Sequence, residues 1–108
     1  MTGHELLNIP EKIYIVGDIS TRRIRIDNEL LTPAHSRRIY NHSPDGFNWG
    51  YSGSGPAQLA LALLLKYLPI DDAVQYYQAF KQTTVAWWPQ SDFAIHINLR
   101  AVIISLLK

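Results

Sequence analysis

The chain has 108 residues, a formal net charge of +1 and no cysteine. This length fits a single domain, residues 1–108, with one hydrophobic core. The lack of cysteine excludes disulfides, thiolate metal sites and a cysteine nucleophile, and it suits the cytoplasm. The net charge is too small to indicate a nucleic-acid or membrane partner, so only a local cluster of charges could do so.

Short antiparallel strands are predicted near the N-terminus. Residues 12–16 are β-branched and aromatic, and residues 22–26 alternate polar with apolar side chains. This alternation places the isoleucines of the second strand on a core face and its arginines in water. Residues 27–29 are turn-forming, and residues 30–31 begin a third short strand.

The middle of the chain predicts a loop followed by a buried helix. Residues 34–48 lack a clear period, so we expect a loop with one short strand over 38–40. The leucine-rich helix is predicted to begin at Pro56, with Ser54 or Gly55 as its N-cap, because proline is favoured in the first helical position.

A second helix and a final strand and helix complete the predicted elements. Asp72 and Gln75 have the spacing of a capping box, and an apolar face continues as far as Trp88. The two helices are predicted to form an antiparallel αα-hairpin. Residues 93–97 alternate as a strand, and Asn98 is a candidate cap for a helix over 99–107.

Two segments of the sequence bear on the location of the protein in the cell. Residues 1–17 lack the cationic and apolar regions of a signal peptide. The most apolar run, residues 57–68, is interrupted by Lys66 and is too short to cross a bilayer. We therefore predict a cytoplasmic protein without a membrane partner.

The glycine-rich segment before the buried helix allows two interpretations. Free N–H groups and the helix dipole at such an entry can bind a phosphate. The segment is nevertheless neither a Walker loop nor a dinucleotide fingerprint, and its glycines also suit a sharp corner with close backbone packing. The candidate ligand- or partner-binding residues here are Trp49, Tyr51, Ser52, Gly53, Ser54, Gly55 and Gln58.

Arginines form a second candidate surface, suited to phosphates or to an acidic partner. The opposing interpretation is a solvated strand face held by salt bridges, because acidic residues of the N-terminal half offset the basic ones. The residues of this basic surface are Arg22, Arg23, Arg25, Arg37 and Arg38.

The remaining polar residues do not assemble a catalytic or metal site. The four histidines lack the spacing of metal ligands, so we predict no metal and no cofactor. His42, Ser43 and Asp45 contain the residue types of a hydrolytic triad, but close neighbours in sequence rarely have the required geometry. We therefore predict no catalytic residue.

A string of residues in the middle of the chain resembles a known signature. Residues 47–62, F-x-W-G-Y-x-G-S-G-P-A-Q-L-A-L-A, are similar to the motif of an uncharacterised domain family of small proteins from bacteria, phages and plasmids. The likeness continues through the helix pair, where Tyr76 or Tyr77 and Phe80 match a Y-x-x-F pattern, and departs at residues 100–104, where the family often has a more acidic helix. The resemblance implies a compact cytosolic domain carried by a mobile element.

The sequence as a whole predicts an α+β domain. An N-terminal antiparallel hairpin or three-stranded sheet packs on the αα-hairpin, and a C-terminal strand and helix complete it. A small binding module for a protein or nucleic-acid partner is favoured over an enzyme, because no acid, base and nucleophile are assembled. The alternative is a protein, including an enzyme, that binds a nucleotide or other phosphorylated small molecule at the glycine-rich segment. Homo-oligomerisation without another ligand is a third hypothesis, either through an uncovered edge strand or through an apolar surface formed by Ile103, Ile104, Leu106 and Leu107.

Overall fold

The structure, a computed structural model, describes residues 1–107, which form four strands, five α-helices and a 3₁₀ turn at Val85–Trp87. The strands are β1 (Ile13–Asp18), β2 (Arg23–Ile26), β3 (Glu29–Leu31) and β4 (Phe93–Ile97). The helices are α1 (Gly3–Leu7), α2 (Ala34–Ile39), α3 (Ser54–Tyr67), α4 (Ile70–Thr83) and α5 (Leu99–Leu106). The predicted α+β class is confirmed.

All four strands belong to one antiparallel sheet with the order β3-β2-β1-β4. Ile15 of β1 lies opposite Ile26 of β2 on one side and opposite Ile95 of β4 on the other. The C-terminal strand therefore completes the sheet that the N-terminal strands begin. The turn between β2 and β3 consists of Asp27 and Asn28, both in the left-handed region that such two-residue hairpin turns require.

The sheet has one buried face and one open face. Ile13, Ile15 and Ile24 are fully buried in the same hydrophobic core as the leucines of α3. Arg23 and Arg25 alternate with the buried residues of β2 and are exposed, as the alternation predicts. The helices thus cover one side of the sheet only, and the other side is available for contacts.

The central helix is α3, whose residues 55–64 are all buried. It begins at Ser54 with Gly53 as N-cap, two residues before the predicted start at Pro56. Proline is tolerated as the third helical residue because the N–H groups of the first turn have no partner within the helix.

The second long helix, α4, differs from its prediction at both ends. It begins at Ile70 and no side chain caps it, so the predicted capping box of Asp72 and Gln75 is wrong. It ends at Thr83 rather than continuing to Trp88, because Thr84 leaves helical dihedral angles and the chain enters the 3₁₀ turn. This early end changes the direction of the tryptophan side chains that follow.

The predicted loop over residues 34–48 is wrong in its first part, where α2 forms in place of the short strand expected at 38–40. The side chain of Ser36 is fully buried, and its hydroxyl donates to the carbonyl of Pro33 at 2.9 Å. Hydrogen bonds to α3, described below, hold this short helix. Long-range contacts of this kind have no local signal in the sequence.

The two terminal helices are bound to each other. Thr2 and Glu5 form a capping box at the start of α1, which buries no residue of its own. Arg100 of α5 donates to the carbonyls of Leu7 and Ile9, at 3.1 and 2.9 Å. The cap of α5 is as predicted, since the side chain of Asn98 accepts the N–H of Ala101 at 3.0 Å. Within residues 1–107, no helix combines the length and the apolar character needed to cross a membrane.

Candidate functional site

Packing accounts for Gly50, the first glycine of the glycine-rich segment. Its φ of +82° lies in the left-handed region, and a Cβ atom would lie 2.7 Å from the carbonyl oxygen of Trp88 and 3.0 Å from the backbone nitrogen of Gln90. Its N–H donates to the carbonyl of Val85 at 3.1 Å. Glycine is therefore required at this position by both conformation and contact.

The other two glycines of the segment have different surroundings. A Cβ atom on Gly55 would lie 2.6 Å from the Cβ of Asn48 and 3.1 Å from its backbone nitrogen, so α3 packs directly on the preceding chain. Gly53 is extended, with φ of −167°, and the ring of Tyr51 lies against it. Close packing on the preceding chain explains Gly55, and the ring of Tyr51 leaves little room for a side chain at Gly53, without a bound phosphate.

Two of the predicted binding residues, Trp49 and Gln58, are fully buried. The indole N–H of Trp49 donates to the carbonyl of Ser91 at 3.2 Å, and its ring contacts the edge of Phe93 at 5.3 Å between centroids. Trp49 is a candidate binding residue in the sequence, but its burial leaves no part of the ring accessible to a ligand. Both side chains are therefore structural, because neither offers a surface to a ligand.

Gln58 makes four hydrogen bonds in the interior. Its Oε1 accepts the backbone N–H groups of His42 and Ser43, at 2.8 and 3.1 Å. Its Nε2 donates to the hydroxyl of Ser36 and to the carbonyl of Tyr40, at 2.9 and 3.0 Å. A primary amide has no further hydrogen available for donation, so this side chain has a complete set of donors in use.

Tyr51 and Ser52 are exposed, and hydrogen bonds connect Ser52 to two further exposed residues, Gln82 and Trp87. The hydroxyl of Ser52 donates to Oε1 of Gln82 at 3.1 Å, and the carbonyl of Gln82 accepts the indole N–H of Trp87 at 3.0 Å. Trp87 is 80% exposed and Tyr51 is 38% exposed. We call these four residues, Tyr51, Ser52, Gln82 and Trp87, the Trp87 surface.

Sequence reasoning missed Trp87 because it assigned this residue to the buried face of a continuous helix. The end of α4 at Thr83 removes that periodicity, and the 3₁₀ turn directs Trp88 inward and Trp87 outward. The one local signal is Pro89, which indicates that regular structure ends near these residues.

The predicted basic surface is divided among three places. Arg23 and Arg25 lie on the open face of the sheet, Arg22 lies in the loop between β1 and β2 with φ of 59°, and Arg37 and Arg38 lie on α2. The ion pairs found within residues 1–107 are Lys66 with Glu29 and Arg100 with Glu11, and none involves these five arginines. The expected salt-bridged strand face is therefore absent from the described part of the chain.

The histidines show no metal site. Within residues 1–107, no group of three histidine, aspartate or glutamate side chains is placed to hold an ion. Nε2 of His42 is 2.7 Å from the hydroxyl of Tyr77, and both rings lie beside Tyr40. This hydrogen bond engages the ring of His42 with Tyr77 rather than with the neighbouring Ser43 or Asp45 of the hypothetical triad.

Comparison with protein-family models matches residues 16–104 to a family described as of unknown function, DUF6166. Comparisons with curated proteins and with solved structures found no match. The resemblance to an uncharacterised family is thus confirmed, whereas the shared motif and a distribution among phages and plasmids stay predictions. Because the match spans most of its length, the chain belongs to the DUF6166 family, whose function is unknown.

Proposed function

We propose that this chain is a small binding module that recognises a protein partner through the Trp87 surface. The observation that carries the proposal is the 80% exposure of Trp87, a large apolar side chain. Hydrogen bonds through Gln82 connect it to Ser52, the chain neighbour of the partly exposed Tyr51. Tryptophan and tyrosine are the residue types most enriched at positions that dominate protein–protein affinity. An exposed ring of this size gains most by entering an apolar pocket on a partner.

The hydrogen bond from Trp87 to the carbonyl of Gln82 supports this role. It is 3.0 Å long and fixes the indole nitrogen to the end of α4, so the side chain is oriented before any partner arrives. A side chain that is already ordered loses less conformational entropy on binding. The hydroxyl and amide groups of Ser52 and Gln82 supply polar contacts at the margin of the ring.

The chemistry of the Trp87 surface favours a protein over a nucleic acid. Its four residues carry no formal charge, whereas nucleic-acid binding draws most of its affinity from cations that neutralise phosphates. The alternative of a phosphate cradle at the glycine-rich segment loses its main support, because Gly50 and Gly55 are explained by contacts with neighbouring backbone.

Capture experiments with matched variants test the proposal. Tagged wild-type protein, Trp87→Ala, Tyr51→Ala and Leu7→Ala are used to capture proteins from the native host. Leu7 is the control because it is another apolar residue with high exposure, 69%. We expect a partner that binds the wild type and Leu7→Ala and that is lost from Trp87→Ala. With that partner purified, calorimetry should show a loss of about 2 kcal/mol or more for Trp87→Ala, or roughly thirtyfold in affinity.

Two results would refute the proposal. Equal capture by the wild type and Trp87→Ala would remove the surface from recognition. Sedimentation showing that the purified wild type dimerises and that Trp87→Ala does not would identify the occupant as a second copy of the chain. Unfolding midpoints should be alike for the two proteins, because Trp87 is outside the core.

A further inference from the structure

The open face of the sheet carries two aromatic rings that contact each other. Tyr14 of β1 and His96 of β4 lie opposite each other in the strand register, with ring centroids 4.6 Å apart and planes inclined by 32°. His96 is exposed and Tyr14 is half-buried. The pair therefore places accessible aromatic surface on the face of the sheet that the helices do not cover.

Two arginines lie beside these rings on the same face. Arg25 is opposite Val16, two residues along β1 from Tyr14, and Arg23 is opposite Asp18. Both arginines border a cleft of about 250 Å³ together with Val16, Thr21 and the carboxylate of Asp18. Neither forms an ion pair within the described residues, and the hydrogen bond of Arg25 to the carbonyl of Asn28 is long, 3.5 Å.

The carboxylates near this face are already engaged with backbone. Oδ1 of Asp18 accepts the N–H groups of Ser20 and Thr21, at 3.0 and 3.3 Å, and Oδ1 of Asp27 accepts the N–H of Tyr14 at 3.0 Å. Both carboxylates keep their negative charge, but neither lies within ion-pair distance of Arg23 or Arg25 in residues 1–107. Arg23 and Arg25 therefore remain able to bind an anion from outside the chain.

From this arrangement we infer that the open face of the sheet binds single-stranded nucleic acid. Unpaired bases stack on exposed aromatic rings, while phosphates bind nearby arginines. Neighbouring strands lie about 4.8 Å apart and two residues along a strand span about 6.8 Å, so Arg25 lies about 8 Å from Tyr14 across the face. A long arginine side chain at that distance can contact a phosphate beside a base that stacks on the rings. A duplex does not offer its base faces in this way, which makes the single strand the matching ligand. This surface is distinct from the Trp87 surface.

Fluorescence anisotropy with labelled single strands of DNA and RNA tests the inference. The probes have mixed sequence and about 12 nucleotides, and a duplex of the same sequence serves as comparison. Two phosphate contacts predict an affinity that falls about sevenfold between about 50 and 200 mM salt. The double variant Arg23→Gln/Arg25→Gln should lose most of the affinity and of the salt dependence.

Matched variants distinguish binding at this site from non-specific electrostatic attraction to the whole protein. Arg37→Gln/Arg38→Gln removes the same charge from exposed positions of α2 and should retain the affinity within about twofold. His96→Ser should weaken binding at least fivefold, by roughly the stacking of one base, and His96→Phe should restore it. All these positions are exposed, and thermal unfolding checks that the variants remain folded.

Several outcomes would overturn the inference. These are the lack of binding to either single strand at low salt, a preference for the duplex, or equal losses in the two arginine pairs. Binding to anionic lipid vesicles but not to oligonucleotides would assign the face to a membrane surface instead. Retained affinity in His96→Ser would remove base stacking from the interaction.

Discussion

Gln58 in α3 donates a hydrogen bond of 2.9 Å to the hydroxyl of Ser36 in α2, and both side chains are fully buried. The same amide holds the backbone of residues 40, 42 and 43. Gln58 is the one polar side chain in the buried part of α3, residues 55–64, and it therefore holds residues 36–43 against this helix. A buried polar group of this kind stabilises only while all its partners are present.

Replacing Gln58 with methionine should destabilise the fold. The side chain keeps its length and helix propensity, but Ser36 and the N–H groups of His42 and Ser43 lose their partner, at a cost of about 2–4 kcal/mol in the free energy of unfolding. Urea denaturation measures this cost. Gln78→Met, at an exposed position of α4, is the control and should change stability by less than about 0.5 kcal/mol. A similar midpoint for both variants would show that the network contributes nothing net.

Gly50 and Gly46 offer a matched pair for separating backbone conformation from contact. Both have positive φ, +82° and +105°, but a Cβ atom on Gly46 would meet nothing within 4 Å, whereas one on Gly50 would collide with backbone. Gly46→Ala should cost about 1–2 kcal/mol from its conformation alone. Gly50→Ala should cost clearly more, about 3 kcal/mol or beyond, since the neighbouring chain must move. Equal losses in denaturant titrations would contradict the packing argument.

Tyr67, the last residue of α3, should make the free energy of unfolding depend on pH in the alkaline range. Burial, together with the negative charges of Asp27 and Glu29, raises the pKa of Tyr67 from its ordinary value of 10.0 to about 12. Between these two pKa values the folded state retains the phenolic proton of Tyr67, whereas the unfolded state loses it. The contribution of this group to the free energy of unfolding is therefore complete below about pH 10 and is lost as the pH rises toward 12.

Comparison with Tyr67→Phe isolates this contribution. The free energy of unfolding of the wild type should fall more steeply than that of Tyr67→Phe between about pH 10 and pH 12. Chemical denaturation at several pH values provides the measurement, and parallel pH profiles for the two proteins would refute it. The absorbance of phenolate, followed against pH in the folded wild type, should include one tyrosine with a pKa near 12. That titration should be missing from folded Tyr67→Phe.

Arg100 should determine whether α1 stays bound to the rest of the protein. Its guanidinium donates to Leu7, Ile9 and the carboxylate of Glu11, at 3.1, 2.9 and 2.9 Å. A lysine has no planar fork and cannot reach these three acceptors together, so Arg100→Lys should expose residues 3–7 to hydrogen exchange. Glu11→Gln removes only the charged partner, which is largely exposed, and should have little effect. Unchanged protection in Arg100→Lys would show that other contacts hold α1.

Elements with strong local signals are those that the sequence predicts well. The strands around Ile15 and Ile24 follow from β-branched composition and alternation, and the cap at Asn98 follows from its side-chain chemistry. The short helix α2 has no such signal, because it depends on a hydrogen bond from Gln58, which is 22 residues away from Ser36. Tertiary contacts of that kind override weak local preferences.

The candidate site likewise combines features that have a local signal in the sequence with features that depend on tertiary contacts. Tyr51 and Ser52 were predicted from the glycine-rich segment and lie on an exposed surface, but their association with Gln82 depends on how α4 packs beside them. The alternation in β2 correctly predicts that Arg23 and Arg25 are exposed to solvent.

The contrast among the three tryptophans gives the protein a natural optical probe. Trp49 and Trp88 are buried, whereas Trp87 is in contact with solvent. Emission should therefore combine a blue component that iodide cannot quench with a red component that it quenches readily. Any molecule that covers Trp87 would shift and protect the red component alone, so binding can be followed in the unlabelled protein.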